Sequence, residues 1–562
     1  MHLEPNCRAI GLSVLTLIGV SQAALAQVPI GAGGQMQQIP PAPVLERELP
    51  TLPIPARPAP GPVLPSGTSF SVRQLHITGE TQFSEADLTA AAAFKPNETL
   101  TLPELRGMAE RITAYYNQKG FFLARAYLPA QDITDGTVTI AVLEGIYGEI
   151  ELQNQAPISD VVLKNVLSGV NSGDLVSAGP LQRRLLIISD MPGVAVRSTL
   201  SPGSVVGTSD LKVNVTAGRR IDGSVEASNW GNPYTGTYLL GGNINYNEPL
   251  GIGDQLGLRV LGSTTGGLFY GRAFYQAQVY DTTVGVAFTA LDYHLGKQFA
   301  PLSAHGREEI VSVYASYPLI RSYDNNLTIL ADFDERFFQD DIGATQTDVS
   351  KRASVLTLQL SGDSRDGFAG GGSNAWSLAG VFGNLDMQTS FARAADAAGP
   401  RTNGTYAKLV GSASRLQNVV GPLSLYGSIR GQLASKNLDI SEKMELGGAT
   451  GVRAFPEGEA YGDDGYIATL EARLMLPPLP PSVPGRVQLI AFVDTGYVSA
   501  NHSPYGAGQN GLTRSGAGVG VIWSEPNNFA VTVTYAYPLG GTKPTSYADN
   551  SGQLWVKLVK YF

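Results

Sequence analysis

Over residues 221–562 the chain is written in short runs that alternate apolar and polar positions. Phe529, Val531, Val533, Tyr535 and Tyr537 share one face of such a run, and Ala530, Thr532, Thr534 and Ala536 share the other. Leu423, Leu425, Ile429 and Leu433 oppose Ser424, Tyr426, Ser428, Arg430 and Gln432. Val487, Leu489, Ala491 and Val493 oppose Gln488, Ile490, Phe492 and Asp494. At the end, Leu554, Val556, Leu558 and Phe562 alternate with Trp555, Lys557, Val559 and Tyr561. A period of two means strands, and an apolar face opposite a mixed one is the pattern of a transmembrane β-barrel. Pro249-Leu250-Gly251, Asp324-Asn325-Asn326 and Pro526-Asn527-Asn528 supply turn chemistry between runs. A soluble β-sandwich alternates in the same way, but this length holds about 14–20 strands of about ten residues, more than one sandwich uses.

Upstream the periodicity is mixed. FSVRQLHITG reads as a strand, and LPELRGMAERITAYYNQKG places Leu105, Met108, Ile112, Tyr115 and Tyr116 at helical spacing before Gly120. FFLARAYLP and TVTIAVLEG read as two further strands. A second unit repeats the texture: EIELQ, two helical stretches in VVLKNVLSG and PLQRRLLIISDMPG, then the hairpin VAVRSTLSPG and DLKVNVTAG. The boundaries predict modules at 68–145 and 146–220, tandem copies of one supersecondary unit.

At the N-terminus, residues 9–20 (AIGLSVLTLIGV) form the one continuous apolar run, too short to span a bilayer. With Arg8 before it and Ala24-Leu25-Ala26 after it, residues 1–26 read as a signal peptide cleaved after Ala26. Residues 27–67 hold eleven prolines in 41 positions and read as a semi-rigid linker or a tail with no spacer role. Its longest proline-free stretch, Ile30–Ile39, contains Gly31, Gly33 and Gly34, so no stable plug helix is expected inside the barrel. Beyond Ala26 no apolar run is long enough for a helical anchor, so a spanning part must be a closed barrel that satisfies its own backbone.

Composition narrows the function. Glycine is high, at 66 of 562 residues, and 20 of the 24 tyrosines fall between Tyr234 and Tyr561, inside the alternating region. Lys and Arg total 39 against 48 Asp and Glu, a net charge of −9 that argues against bulk nucleic-acid binding. The single cysteine, Cys7, excludes a disulfide scaffold, and its place before the apolar run excludes a lipobox. His2, His76, His294, His305 and His502 are too scattered for a local metal motif. No P-loop, nucleophile elbow or HExxH is present, and no cofactor, catalytic residue or metal ligand is expected. Gly516, Gly518 and Gly520 alternate as small inward-facing residues of a strand rather than as a phosphate cradle.

Several segments resemble the haemolysin secretion/activation family of two-partner secretion transporters, ShlB/FhaC/HecB-like, of TpsB type within the BamA/TpsB superfamily. AYLPAQDITDGTVTIAVLEG (126–145) is similar to that family's P-x-Q…V-x-E-G signature, and SNWGNPYTGTYLLGGNINYNEPLGIGDQL (228–256) to its first barrel hairpin. GVRAFPEGEAYGDDGY (451–466) resembles its inward-folded loop, with Val452, Arg453, Ala454 and Phe455 as the loop motif, and FVDTGYV (492–498) the strand it docks on, with Phe492, Asp494 and Gly496 as wall partners. The resemblance implies two periplasmic POTRA modules, a barrel of about 16 antiparallel strands at 221–562 in the outer membrane of a Gram-negative bacterium, and a terminal Phe562 read by the barrel-assembly machinery. It further implies export of one unfolded exoprotein, recognised by the modules through its N-terminal secretion domain, with no nucleotide hydrolysed and a monomeric channel.

Two features depart from the family pattern. Ala454 stands where a glycine is usual, which predicts strain if the position needs positive φ. The linker 27–67 is proline-rich where a plug helix is usual, which leaves the loop 451–466 as the expected constriction. Arg453 is expected to pair with Asp494 inside the barrel. Cargo is expected on exposed edges of strands 121–129 and 137–144, with Phe121, Phe122, Tyr127, Leu128 and Gln131 as contacts. An outer-membrane protein or lipid insertase of the same superfamily is the alternative function. A passive porin would leave the modules without a role.

Overall fold

The computed structural model describes residues 31–45, 50, 69–133, 135–506, 508–541, 543–547 and 551–562. Residues 1–26, expected as a signal peptide, and most of the linker lie outside the described residues. The alternating region closes into a barrel of sixteen antiparallel strands, from Ile221–Ser228 round to Gln553–Tyr561, which pairs back onto the first. Closure pairs the last strand with the first, the arrangement a sheet spanning lipid requires. Side chains sort as the alternation requires. Leu489, Val493, Val519, Tyr535, Tyr537, Leu554 and Leu558 are exposed outward, while Ile490, Phe492, Asp494, Ala536 and Trp555 are buried inward. No helix among the described residues is long and apolar enough to cross a membrane. The wall is uneven: strands near the start have 8–9 residues, while Ala304–Arg321, Asn325–Ile342 and Thr347–Asp366 have 18–20.

Two small α/β units precede the barrel. In the first, Gln74–Thr78 lies parallel to Thr137–Leu143, with Arg125–Tyr127 antiparallel on the other side. Helices Glu85–Ala92 and Leu102–Gln118 cover it, the second started by a Thr101/Glu104 capping box. The second unit repeats the plan: Ile146–Gln155 lies parallel to Thr208–Ala217, Val194–Pro202 is antiparallel, and helices Asp160–Leu167 and Ala178–Asp190 cover the sheet. Each unit has its own apolar core, around Leu105, Ile112 and Ile140 in one and Leu163, Leu185 and Val213 in the other.

The structure corrects three local readings. FSVRQLHITG breaks at Arg73 into Ser69–Val72, which pairs with Glu98–Thr101, and Gln74–Thr78. The strand expected over 121–129 shrinks to Arg125–Tyr127, because Phe121 and Ala124 form a turn. Thr137–Leu143 is the central strand of its sheet, paired on both sides, so it offers no free edge for cargo.

A clamped loop and a short helix in the barrel lumen

Between strands Leu423–Ala434 and Asp464–Met475 the chain turns into the lumen, so the inward loop spans 435–463; Asp464, Gly465 and Tyr466 belong to the wall. Inside, Met444–Glu445 pairs with Tyr461–Gly462 to stiffen the loop. Val452, Ala454 and Phe455 at its tip are fully buried.

Arg453 is held on every side. Its Nε and Nη2 donate to the two oxygens of Asp494 at 2.8 and 2.7 Å, and its backbone N–H reaches Asp494 Oδ2 at 3.1 Å. Nη1 donates to Glu471 Oε1 at 2.7 Å, and the guanidinium lies 3.4 Å from the Phe492 ring centroid. A planar cation with forked donors suits this cage; an ammonium cannot reproduce the bidentate contact or the stacking. Thr469 Oγ1 adds a donor to Asp494 at 2.9 Å. Gly496 makes room for Leu446, whose Cδ1 would lie 2.7 Å from a Cβ placed there.

Ala454 has no positive φ, so the strain expected from the missing glycine is absent. The accommodation lies in the adjacent wall strand, at the residue paired with Asp494: a Cβ on Gly516 would sit 2.3 Å from the Ala454 Cβ. Glycine at 516 leaves space for alanine at 454.

Further pairs bind the loop to the wall. Asp439 meets Lys351 at 3.0 Å, and Glu442 meets Arg336 and Lys408, both at 2.9 Å. Glu459, with no exposed surface, accepts from Arg514 Nε at 2.7 Å. The sequence reading missed these residues and Glu471. Alternation does mark Thr469, Glu471 and Arg473 as one polar face opposite Leu470 and Leu474, but it names no partner.

The lumen also holds a helix, Ala32–Gln37, contrary to the expectation for the linker. Ala32 N–H donates to Asp340 Oδ1 at 2.8 Å, Gln37 Nε2 to the Ile440 carbonyl at 2.8 Å, and Thr235 Oγ1 to Gln35 Oε1 at 3.2 Å. Gln38 donates to the Tyr461 hydroxyl. Glycine lowers intrinsic helicity by about 1 kcal/mol per residue, but packing overrides it here. A Cβ on Gly33 would lie 2.3 Å from the Ser441 Cβ, so only glycine lets helix and loop touch. The helix ends before Pro40.

In the first module the expected cargo contacts are mostly structural. Phe121 packs edge-on against Phe83 and Tyr116, Phe122 packs on the second module's core, and Leu128 on the first. The Gln131 carboxamide exchanges two 2.7 Å hydrogen bonds with the backbone of Thr139, taking the place of a strand residue. Tyr127 alone of the five is exposed. Glu144, the acid of the signature, accepts from Thr81 N–H at 2.7 Å, Gln82 N–H at 3.0 Å and Tyr116 OH at 2.7 Å. Burial raises its pKa, yet the hydrogen bonds from Thr81, Tyr116 and Gln82 hold it below the usual glutamate value.

A sixteen-stranded barrel with tandem α/β modules before it and a clamped loop inside it defines an outer-membrane transporter with periplasmic POTRA modules. The chain belongs to the haemolysin secretion/activation protein family ShlB/FhaC/HecB, whose model matches residues 207–522, while a ShlB-type POTRA domain matches 70–145. It is similar to the heme/hemopexin transporter protein HuxB of Haemophilus influenzae strain 86-028NP, 30% identical over 473 residues and 82% of each chain. It is also similar to the outer membrane transporter CdiB of Dickeya dadantii, 24% identical over 77% of each. The solved structure of CdiB from Escherichia coli shares the fold, with a TM-score of 0.70 at 20% identity over the whole of both chains. The protein is thus a two-partner secretion transporter of the outer membrane, working with a secreted exoprotein.

Proposed function

We propose that the lumen is closed at rest by the loop 435–463 and the helix Ala32–Gln37 together, and that export begins when both leave their wall contacts. The observation that carries this is the Arg453 cage, which fixes the loop tip in the lumen through Asp494, Glu471 and Phe492. A barrel of sixteen strands leaves an aqueous channel unless something occupies it. The POTRA modules take the unfolded exoprotein from the periplasm, with exposed Tyr127 on the edge strand Arg125–Tyr127 as a contact. Phe562 is the assembly signal: its backbone exchanges hydrogen bonds with Gly223 at 3.1 and 3.2 Å, and its ring is exposed on the outer face of a single-chain barrel. Single-channel recording in planar bilayers tests the closure. Arg453→Ala is expected to raise conductance and impair export with the barrel still inserted. Wild-type conductance and export in both Arg453→Ala and Asp494→Ala would reject the cage as the lock.

A further inference from the structure

The wall closes on its weakest ladder. The last strand pairs with the first only from Lys557 opposite Ser228 to Tyr561 opposite Ser224. On its other side the same strand is paired from Gln553 onward. The stretch Gln553–Val556 therefore turns one backbone edge toward the first strand's side with no strand opposite it.

Side chains take over there. Asn229, the residue after the first strand, donates its backbone N–H to the Val556 carbonyl at 3.1 Å. Its Nδ2 donates to the Leu554 carbonyl at 2.6 Å, and its Oδ1 accepts the Val556 N–H at 2.7 Å. A carboxamide carries a donor and an acceptor in one plane, as a peptide group does, so it can act as a rung. On the lumen side, the buried Trp555 donates its indole N–H to the carbonyl of Arg453 at 2.7 Å. The connection before this strand is tied to the same loop: Glu459 accepts from Thr545 N–H and Ser546 Oγ, both at 3.0 Å. Tyr234, from the segment after the first strand, donates its hydroxyl to the Ser546 carbonyl.

We infer that the docked inward loop holds the extracellular half of this seam shut, with Asn229 and Trp555 as the positioning residues. Asn229 supplies the rungs that the first strand lacks. Trp555 ties the closing strand to the loop through the backbone of the very residue that docks it. When Arg453 leaves Asp494, its carbonyl leaves Trp555, and the upper seam keeps only the backbone and side-chain hydrogen bonds of Asn229. Loop position and barrel closure are then one equilibrium. This rests on the reading of 435–463 as a movable element, but not on its being the constriction.

Hydrogen exchange at the Val556 amide, measured on the full chain in nanodiscs, tests the inference. Asn229→Leu keeps the size but removes both the acceptor for the Val556 N–H and the donor to Leu554, and Trp555→Phe keeps an aromatic ring but removes the indole N–H. Each is expected to speed Val556 exchange by up to about tenfold, the scale of one net hydrogen bond, while Val533, inside the neighbouring ladder, keeps its rate. Arg453→Ala, or Arg453→Lys if the alanine variant does not fold, is expected to do the same from a distance. Trp555→Phe should then add nothing in the Arg453 variant background, because the carbonyl it reaches for has already gone. A residue that merely packs would add its effect in full. Val556 protection unchanged by the Arg453 variant, or additive effects of the pair, overturns the inference. Faster exchange in the Arg453 variant with unchanged conductance supports it while removing the loop as the constriction.

Discussion

At the scale of single residues, two buried charges are fixed by quite different surroundings. Arg453 meets Asp494, Glu471 and an aromatic face, and removing one partner of such a buried pair costs about 3–5 kcal/mol because the other charge is left uncompensated. Arg453→Lys keeps the charge but not the fork or the stacking. It is expected to free the loop partially, seen as faster trypsin cleavage after Lys443 than in the wild type and slower than in Arg453→Ala. Equal cleavage in wild type and Arg453→Lys would show that charge alone docks the loop. Glu144, in contrast, meets no cation among the described residues; neutral donors from Thr81, Gln82 and Tyr116 hold its pKa down against burial. A carboxylate whose folded pKa is depressed stabilises the module fully above its ordinary value of 4.5, and that contribution disappears as pH falls through the folded value. Glu144→Gln should therefore lower the urea midpoint for proteolysis within residues 69–145 at pH 7, by an equivalent of about 1.5–3 kcal/mol for hydrogen bonds to a charged acceptor. The gap from wild type should narrow below pH 4.5; a gap independent of pH would mean that Glu144 acts only by packing.

At the scale of elements, what the sequence made legible was what is local. Strand faces, the helix Leu102–Gln118, the tandem units and the Arg453–Asp494 placement all follow from period, spacing or family motif. The lumen helix did not, because its stability comes from residues far away in sequence: Asp340, Ile440 and Thr235 hold it. Propensity counted Gly33 as a liability, whereas in the lumen the missing Cβ is what permits contact with Ser441. The central position of Thr137–Leu143 was hidden for a related reason, since its parallel partner Gln74–Thr78 lies a whole helical layer earlier in the chain. Gly33→Leu separates the two views of the helix. A side chain there meets the Ser441 backbone, with Cα 2.8 Å from the new Cβ, so the helix must leave its seat. Conductance is expected to rise above wild type while the loop stays protected from trypsin. No rise would mean that the loop closes the lumen unaided.

At the scale of the whole molecule, one helix of the second module, Ala178–Asp190, carries charged clamps to the barrel rim. Arg183 and Arg184 both reach Asp281 in a short turn of the barrel, at 3.0 and 2.8 Å, and Asp190 at the helix end receives Arg321 at 2.7 and 2.8 Å. The two clamps run in opposite senses, module cation to barrel anion and barrel cation to module anion, so they fix rotation as well as distance. Between the module and the wall lies a cavity of about 930 Å³, lined by Val194–Arg197, Asn243, Asn245, Arg272 and the N-terminal segment Ala42–Leu45. Chain leaving the lumen helix thus runs past this junction, and Tyr323 on the rim donates to the Pro50 carbonyl. These ion pairs, with side chains 13–41% exposed, are open enough to be weakened by salt, whose screening length is about 8 Å at physiological strength. The backbone contact from Ser159 N–H to the Gly251 carbonyl, 2.8 Å, is not screened in this way. Asp281→Ala removes one clamp: Arg184 loses its acceptor, and Arg183 keeps only the Leu319 carbonyl and the Tyr317 hydroxyl. Spin-label distances between the helix Ala178–Asp190 and the barrel turn at 421–422 are expected to broaden in that variant. Wild type in about 1 M salt, where the screening length falls to about 3 Å, should broaden likewise. A distribution that stays narrow in both would show that the Ser159 contact and apolar packing hold the module rigidly, and that the cavity opens by some other motion.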